Sequence, residues 1–175
     1  MAGAGRMIER RALLTMGGLA MTGLAGTAQA AGDGVAEIEA LVKSLLAAWN
    51  ATDADAYADH FWPDASWVNV VGMHWRGRDQ VAFAHRLFLS TIFKDCKQTL
   101  VSIEARAVAP GVALAVVTMI QDAYTTPDGN RMPEAHDRLS LTAVQREGRW
   151  LLIHGHNTII NPQAANNDPV LRMPH

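Results

Sequence analysis

The chain has 175 residues, of which 49% are hydrophobic and 18% charged, with a formal net charge of −2 and one cysteine. This balance suits one globular domain with a real core and excludes the clustered Lys and Arg of a nucleic-acid-binding surface. The lone Cys96 excludes an internal disulfide and a Cys-based metal site.

The N-terminus reads in three parts. Met1 to Arg11 is basic through Arg6, Arg10 and Arg11; Ala12 to Ala28 carries no charge; Ala28-Gln29-Ala30 supplies small residues beside a cut. This pattern predicts an export signal over 1–30 and a mature chain from Ala31. The uncharged stretch is short for a membrane span and is interrupted by glycines. Arg10-Arg11 followed by Ala12-Leu13-Leu14 resembles the twin-arginine export motif, with Glu9 in place of the usual Ser or Thr. The expected destination is periplasmic or secreted, with ordinary secretion as the alternative route and no membrane contact after cleavage.

Val35 to Trp49 places Ile38, Leu41, Val42, Leu45, Leu46 and Trp49 at helical spacing. Asp53 is positioned to cap a second helix through Tyr57 to about His60. Trp62-Pro63-Asp64 predicts a turn. Ser66 to Val71 predicts a strand with Trp67, Asn69 and Val71 on one face, turning at Gly72 so that Met73 to Arg76 pairs back. Asp79 to Ile92 predicts a third helix with Val81, His85, Phe88 and Ile92 along one stripe. The period then changes to two, predicting strands over Gln98–Val108, Val112–Tyr124, Asp137–Arg146 and Arg149–Ile160. Pro110-Gly111, Pro127-Asp128-Gly129-Asn130 and Glu147-Gly148 form the turns between them. An Asn- and Pro-rich tail, 161–175, is expected to be loosely held. Helices followed by strands imply an α+β fold, a curved antiparallel sheet wrapped over three N-terminal helices around a cone-shaped cavity suited to a small ligand.

This order over Ala31 to Ile160 resembles the nuclear-transport-factor-2-like superfamily. Ala48 to Tyr57, Phe61 to Gly72 and Trp75-Arg76-Gly77-Arg78 are similar to its SnoaL-like branch, and Trp150 to Thr158 resembles the SgcJ/EcaC family. The resemblance implies a small-molecule-binding protein or cofactor-free enzyme, such as an isomerase, a hydratase or an SgcJ/EcaC-type oxidoreductase, and a homodimer, which the N-terminal signal would make an exported one. In the ketosteroid isomerases of this superfamily a carboxylate acts as base where this chain has Asn69. An amide cannot take a proton at neutral pH, so the resemblance argues against that chemistry and leaves Asn69 as a polar anchor.

His154 and His156 lie two apart on a strand and share a face, where they could bind zinc, relay a proton, or merely meet solvent or a second copy. Ile153 to Thr158 is also loosely similar to the final strand of iota-class carbonic anhydrases, although Gly155 separates the histidines. His85 lies on the stripe that lines the cavity in this superfamily, and His74 lies near its mouth or in solvent. Asp122 could face the cavity or pair with Arg138 or His136. The candidate catalytic residues are therefore His85 and His156, with Trp49, Tyr57, Asn69, Trp75, Phe88 and Asn157 as candidate substrate contacts. No metal or cofactor is expected. No Gly-rich phosphate loop, Gly-x-Ser-x-Gly or dinucleotide fingerprint occurs, which excludes Rossmann-type NAD or flavin chemistry. The alternative function is a non-catalytic dimeric ligand-binding or interaction module.

Overall fold

The structure is a computed structural model that describes residues 24–174. The proposed signal at 1–30 therefore lies mostly outside the described residues. Helix α1 (Leu24–Asn50) begins earlier than Val35 and runs through the expected cut after Ala30. Its buried stripe comprises Ile38, Val42, Leu45 and Trp49. No described helix is long and apolar enough to cross a membrane.

Asp53 caps α2 (Ala54–Ala58) by accepting the Ala56 N–H at 2.9 Å. Strand β1 (Phe61–Val68) starts earlier than expected and takes in Trp62-Pro63-Asp64. Pro63 fits because the register with the neighbouring strand shifts between Phe61 and Ser66, where a missing donor leaves no ladder bond unmade. A short β2 (His74–Arg76) pairs back antiparallel, and α3 (Arg78–Ser90) follows. The long strands are β3 (Gln98–Ala109), β4 (Val112–Gln121), β7 (Ala135–Arg146) and β8 (Arg149–Ile159). Between β4 and β7 the Pro127–Asn130 turn carries an extra small hairpin, β5 (Tyr124–Thr125) with β6 (Arg131–Met132). The tail holds a one-turn α4 (Pro162–Ala165) and a 3-10 turn (Pro169–Arg172), each capped by an Asn or Asp side chain and exposed throughout.

The main sheet has the order β2-β1-β8-β7-β4-β3. It is mixed, which corrects the expected antiparallel sheet: β8 returns beside β1 in the same direction. Helix α1 lies against β3, β4 and β8 and buries Ile38, Val42 and Leu45 with Val117, Leu139, Leu141 and Leu152. The inward residues of β4 and β7 alternate without a break: Ala113, Ala115, Val117, Met119 and Gln121 on one strand, Asp137, Leu139, Leu141 and Ala143 on the next.

Candidate functional site

The concave face of the sheet and helices α1–α3 enclose a cavity of about 200 Å³. Its wall is largely aromatic. Trp49 comes from α1, Tyr57 from α2, Trp67 from β1, Trp75 from β2 and Phe88 from α3, with Phe93 and Tyr124 near the mouth of the hairpin. Helical and strand periodicity explain the convergence, because each ring sits in phase with the buried residues of its own element. Trp49 is further held by its indole N–H, which donates to the Cys96 carbonyl at 2.9 Å.

His85 stands in the middle of this wall. Its ring stacks on Tyr57 with centroids 4.1 Å apart and meets Trp49, Trp67 and Trp75 edge-on. Nδ1 lies 2.8 Å from the Val81 carbonyl, which can only accept, so Nδ1 carries the proton and Nε2 is left as an acceptor. Burial among apolar rings pushes the His85 pKa down to about 4, against a smaller opposing effect of the Val81 bond. The ring is neutral at physiological pH. Burial likewise pushes the Tyr57 hydroxyl well above its ordinary range.

Polar groups gather at the sheet side of the cavity. Gln98 of β3 donates through Nε2 to Oε1 of Gln121 on β4 at 3.3 Å, and both glutamines line the space. Asn157 of β8 also lines it and donates through Nδ2 to Oδ2 of Asp137 on β7 at 3.1 Å. The other oxygens of that pair, Asp137 Oδ1 and Asn157 Oδ1, are buried without a hydrogen-bond partner. Burial raises the Asp137 pKa, and the Asn157 bond offsets this only in part.

The structure thus brings Trp49, Tyr57, Asn69, Trp75, His85, Phe88 and Asn157 to one cavity. Asn69 stands at its rim with its Oδ1 already committed, accepting the N–H groups of Val71 and Met73 at 3.1 and 2.8 Å. This shapes the β1–β2 turn and leaves only the amide nitrogen for a ligand. His156, the second catalytic candidate, lies outside the cavity, on the solvent-facing side that was one of the readings of its strand face. The β7–β8 register shifts at Thr142/Ala143, so the inward positions of β8 pass from Leu152 to Gly155 and Asn157. That irregularity turns both histidines to the outer face, where His154 Nδ1 and Ser66 Oγ share a hydrogen bond of 2.8 Å and His156 is exposed. Burial first, and then nearby His156 and His74, hold the His154 pKa down. Among the described residues, no group of three or more His, Cys, Asp or Glu is placed to hold a metal ion. Asp122 pairs with neither Arg138 nor His136; its carboxylate accepts the Lys97 N–H at 3.2 Å.

Sequence reasoning missed Gln98, Gln121 and Asp137. A signal was present for Asp137, because it stands in phase with Leu139, Leu141 and Ala143, where a charged residue interrupts a buried alternation.

Comparison with known proteins agrees with this architecture. The SnoaL-like domain family matches residues 38–162. An uncharacterized protein with a cystatin-like fold from Caulobacter vibrioides is 69% identical, with 81% of this chain and 99% of that chain covered and a TM-score of 0.79. An NTF2-like protein with a cystatin-like fold from Novosphingobium aromaticivorans is 18% identical over 86% of this chain and 97% of that one, TM-score 0.63. A candidate scytalone dehydratase from the same organism is 14% identical over 72% and 83%, TM-score 0.61. A search of curated proteins found no match. With its cystatin-like α+β fold and a profile match across most of its length, the chain belongs to the SnoaL-like domain family.

Proposed function

We propose that the domain binds a small, mainly apolar organic molecule of one or two rings inside the cavity. The single observation behind this reading is the continuous aromatic wall around the cavity, formed by Trp49, Tyr57, Trp67, Trp75 and Phe88. The cavity's volume of about 200 Å³ exceeds the roughly 150 Å³ that suffices for benzene in an engineered apolar site. Flat ligands gain both burial and edge or face contacts in such surroundings.

His85 favours binding over proton transfer in this reading. A base whose conjugate acid titrates near 4 has little driving force to take a proton at neutral pH. Its Nε2 instead serves as a fixed acceptor that orients the ligand. Turnover, if the domain has it, then draws on positioning rather than on a strong base. The ending Trp150 to Thr158 supports placing the chain near the SgcJ/EcaC group, and Met1 to Ala30 supports action outside the cytoplasm; N-terminal sequencing of exported protein tests the latter.

The binding reading is tested by titrating purified protein with indole, naphthalene and ethylbenzene while following tryptophan fluorescence and heat. Saturable binding with quenching is expected, and Phe88→Trp, which narrows the cavity, should weaken it. Absence of saturable binding by all three probes at concentrations up to roughly millimolar, where even weak complexes form, overturns the reading.

A further inference from the structure

Resting on that reading, we infer that the ligand is uncharged and carries an amide-type edge, a carbonyl beside an N–H as in a primary carboxamide or a lactam, and that this edge docks on the Gln98–Gln121 pair. The two glutamines face each other across β3 and β4, both line the cavity, and each is 8% exposed. One hydrogen bond joins them, from Gln98 Nε2 to Gln121 Oε1 at 3.3 Å. It leaves Gln98 Oε1 and Gln121 Nε2 without a partner among the described residues. Turning both amides over would reverse the bond and still leave one carbonyl and one amino group free. Among the described residues, the buried polar side-chain atoms closed off without a partner are Asp137 Oδ1 and Asn157 Oδ1. The free ends of Gln98 and Gln121 are not of that kind, so they keep open surface, and the space that both residues border is the cavity.

A free acceptor and a free donor held side by side select a group that offers both in return. The pair is anchored from behind: the Gln98 N–H donates to Asn50 Oδ1, and Asn50 Nδ2 donates to the Gln98 carbonyl, each at 2.8 Å. This ties the start of β3 to the end of α1, so binding does not carry the cost of ordering that backbone. The rest of the wall sets the charge. Among the described residues, no Lys, Arg, Asp or Glu lines the cavity, and His85 is neutral at physiological pH. An ammonium or a carboxylate would lose its hydration there without meeting a counter-charge. A carboxylic acid offers a donor and an acceptor only when protonated, so near neutral pH the amide is the group that fits. A ketone offers the acceptor alone and leaves a buried glutamine oxygen without a donor.

Benzamide, acetophenone and benzoate share a ring and a size and differ in that edge. They are titrated calorimetrically into the purified protein near neutral pH, with ethylbenzene as the apolar control. Benzamide should bind at least about fivefold more tightly than acetophenone, although it is the more water-loving of the two, and benzoate should bind most weakly. Gln121→Met, close in volume but without the polar end, should abolish the benzamide preference while keeping acetophenone affinity within about twofold, which also shows that the cavity is intact. Gln98→Met should act in the same direction. In the wild type, the side-chain amide NMR signals of Gln121 should move with benzamide and stay near their positions with ethylbenzene. The inference is overturned if acetophenone matches benzamide in the wild type, if the preference survives both substitutions, or if benzoate binds best. Binding of ethylbenzene with none of the other three also overturns it and leaves the cavity reading standing. Failure of all four removes the cavity reading itself.

Discussion

The neutral His85 at the centre of the cavity makes the fold sensitive to mild acid in a calculable way. Its pKa is about 4 in the folded protein against 6.5 as the reference value. In the unfolded chain the ring therefore binds a proton below about pH 6.5, whereas in the folded chain it does not until near pH 4. Between those limits the unfolded state holds more protons, so this contribution to stability falls as pH falls. Integrating over that difference, wild-type protein should lose about 2 kcal/mol between pH 7 and pH 5, and about 3 kcal/mol in all once pH drops below 4. Asp137 acts in the opposite sense, since its raised pKa favours the folded state as it takes up a proton. His154 adds a smaller loss in the same direction as His85. These other groups cancel when wild type is compared with His85→Gln, which is neutral throughout and still offers an N–H to the Val81 carbonyl. Urea denaturation of both proteins at pH 7 and pH 5 should give a wild-type loss larger than the variant's by about 2 kcal/mol. Equal losses would refute the reasoning. An NMR titration of the His85 ring in wild type checks the same point without a variant, and a midpoint near 6.5 would refute it independently.

Further outcomes follow from the packing. A Cβ at Gly155 would collide with the ring carbons of Trp67 and press on Leu141 Cδ2 at 3.1 Å, so Gly155→Ala should destabilise the protein by roughly 1–3 kcal/mol or more and shift Trp67 emission, read by thermal melting with fluorescence. Trp49→Phe keeps most of the ring's packing but strips the buried Cys96 carbonyl of its side-chain donor; a loss of about 1–3 kcal/mol in denaturant unfolding is expected.

Much of this fold is legible in the sequence because its elements obey one periodicity at a time. Asp53 before Ala54, the Val81–His85–Phe88 stripe of α3 and the alternation of β4 and β7 all carry their structural reason locally. The errors fall where the reason is not local. Trp62-Pro63-Asp64 reads as a turn, but the parallel partner β8 accommodates it within β1 at a register shift. The shared face of His154 and His156 could be either side of the sheet on paper, and the irregularity near Ile153 sets it outward. Gly155, which on paper only interrupts a histidine run, is needed because the indole of Trp67 occupies the space where a side chain would stand. The cavity aromatics were legible as stripes, while the Gln98–Gln121 and Asp137–Asn157 pairs depend on cross-strand register that no short window contains.

The placement of β8 between β1 and β7 bears on how the molecule comes into being. The last long strand to leave the ribosome is an interior strand of the sheet, so until it arrives β1–β2 and β7 present two open edges. Contacts such as Phe61 with Leu152 and Trp67 with Gly155 span most of the domain, and closing them requires ordering the chain between. Synthesis and folding are therefore separated in time: any product ending at the Glu147-Gly148 turn exposes two unpaired strand edges available to other chains. Quality control of this small domain is thus decided by its final strand, and chaperone engagement should persist until residues near Ile159 have emerged.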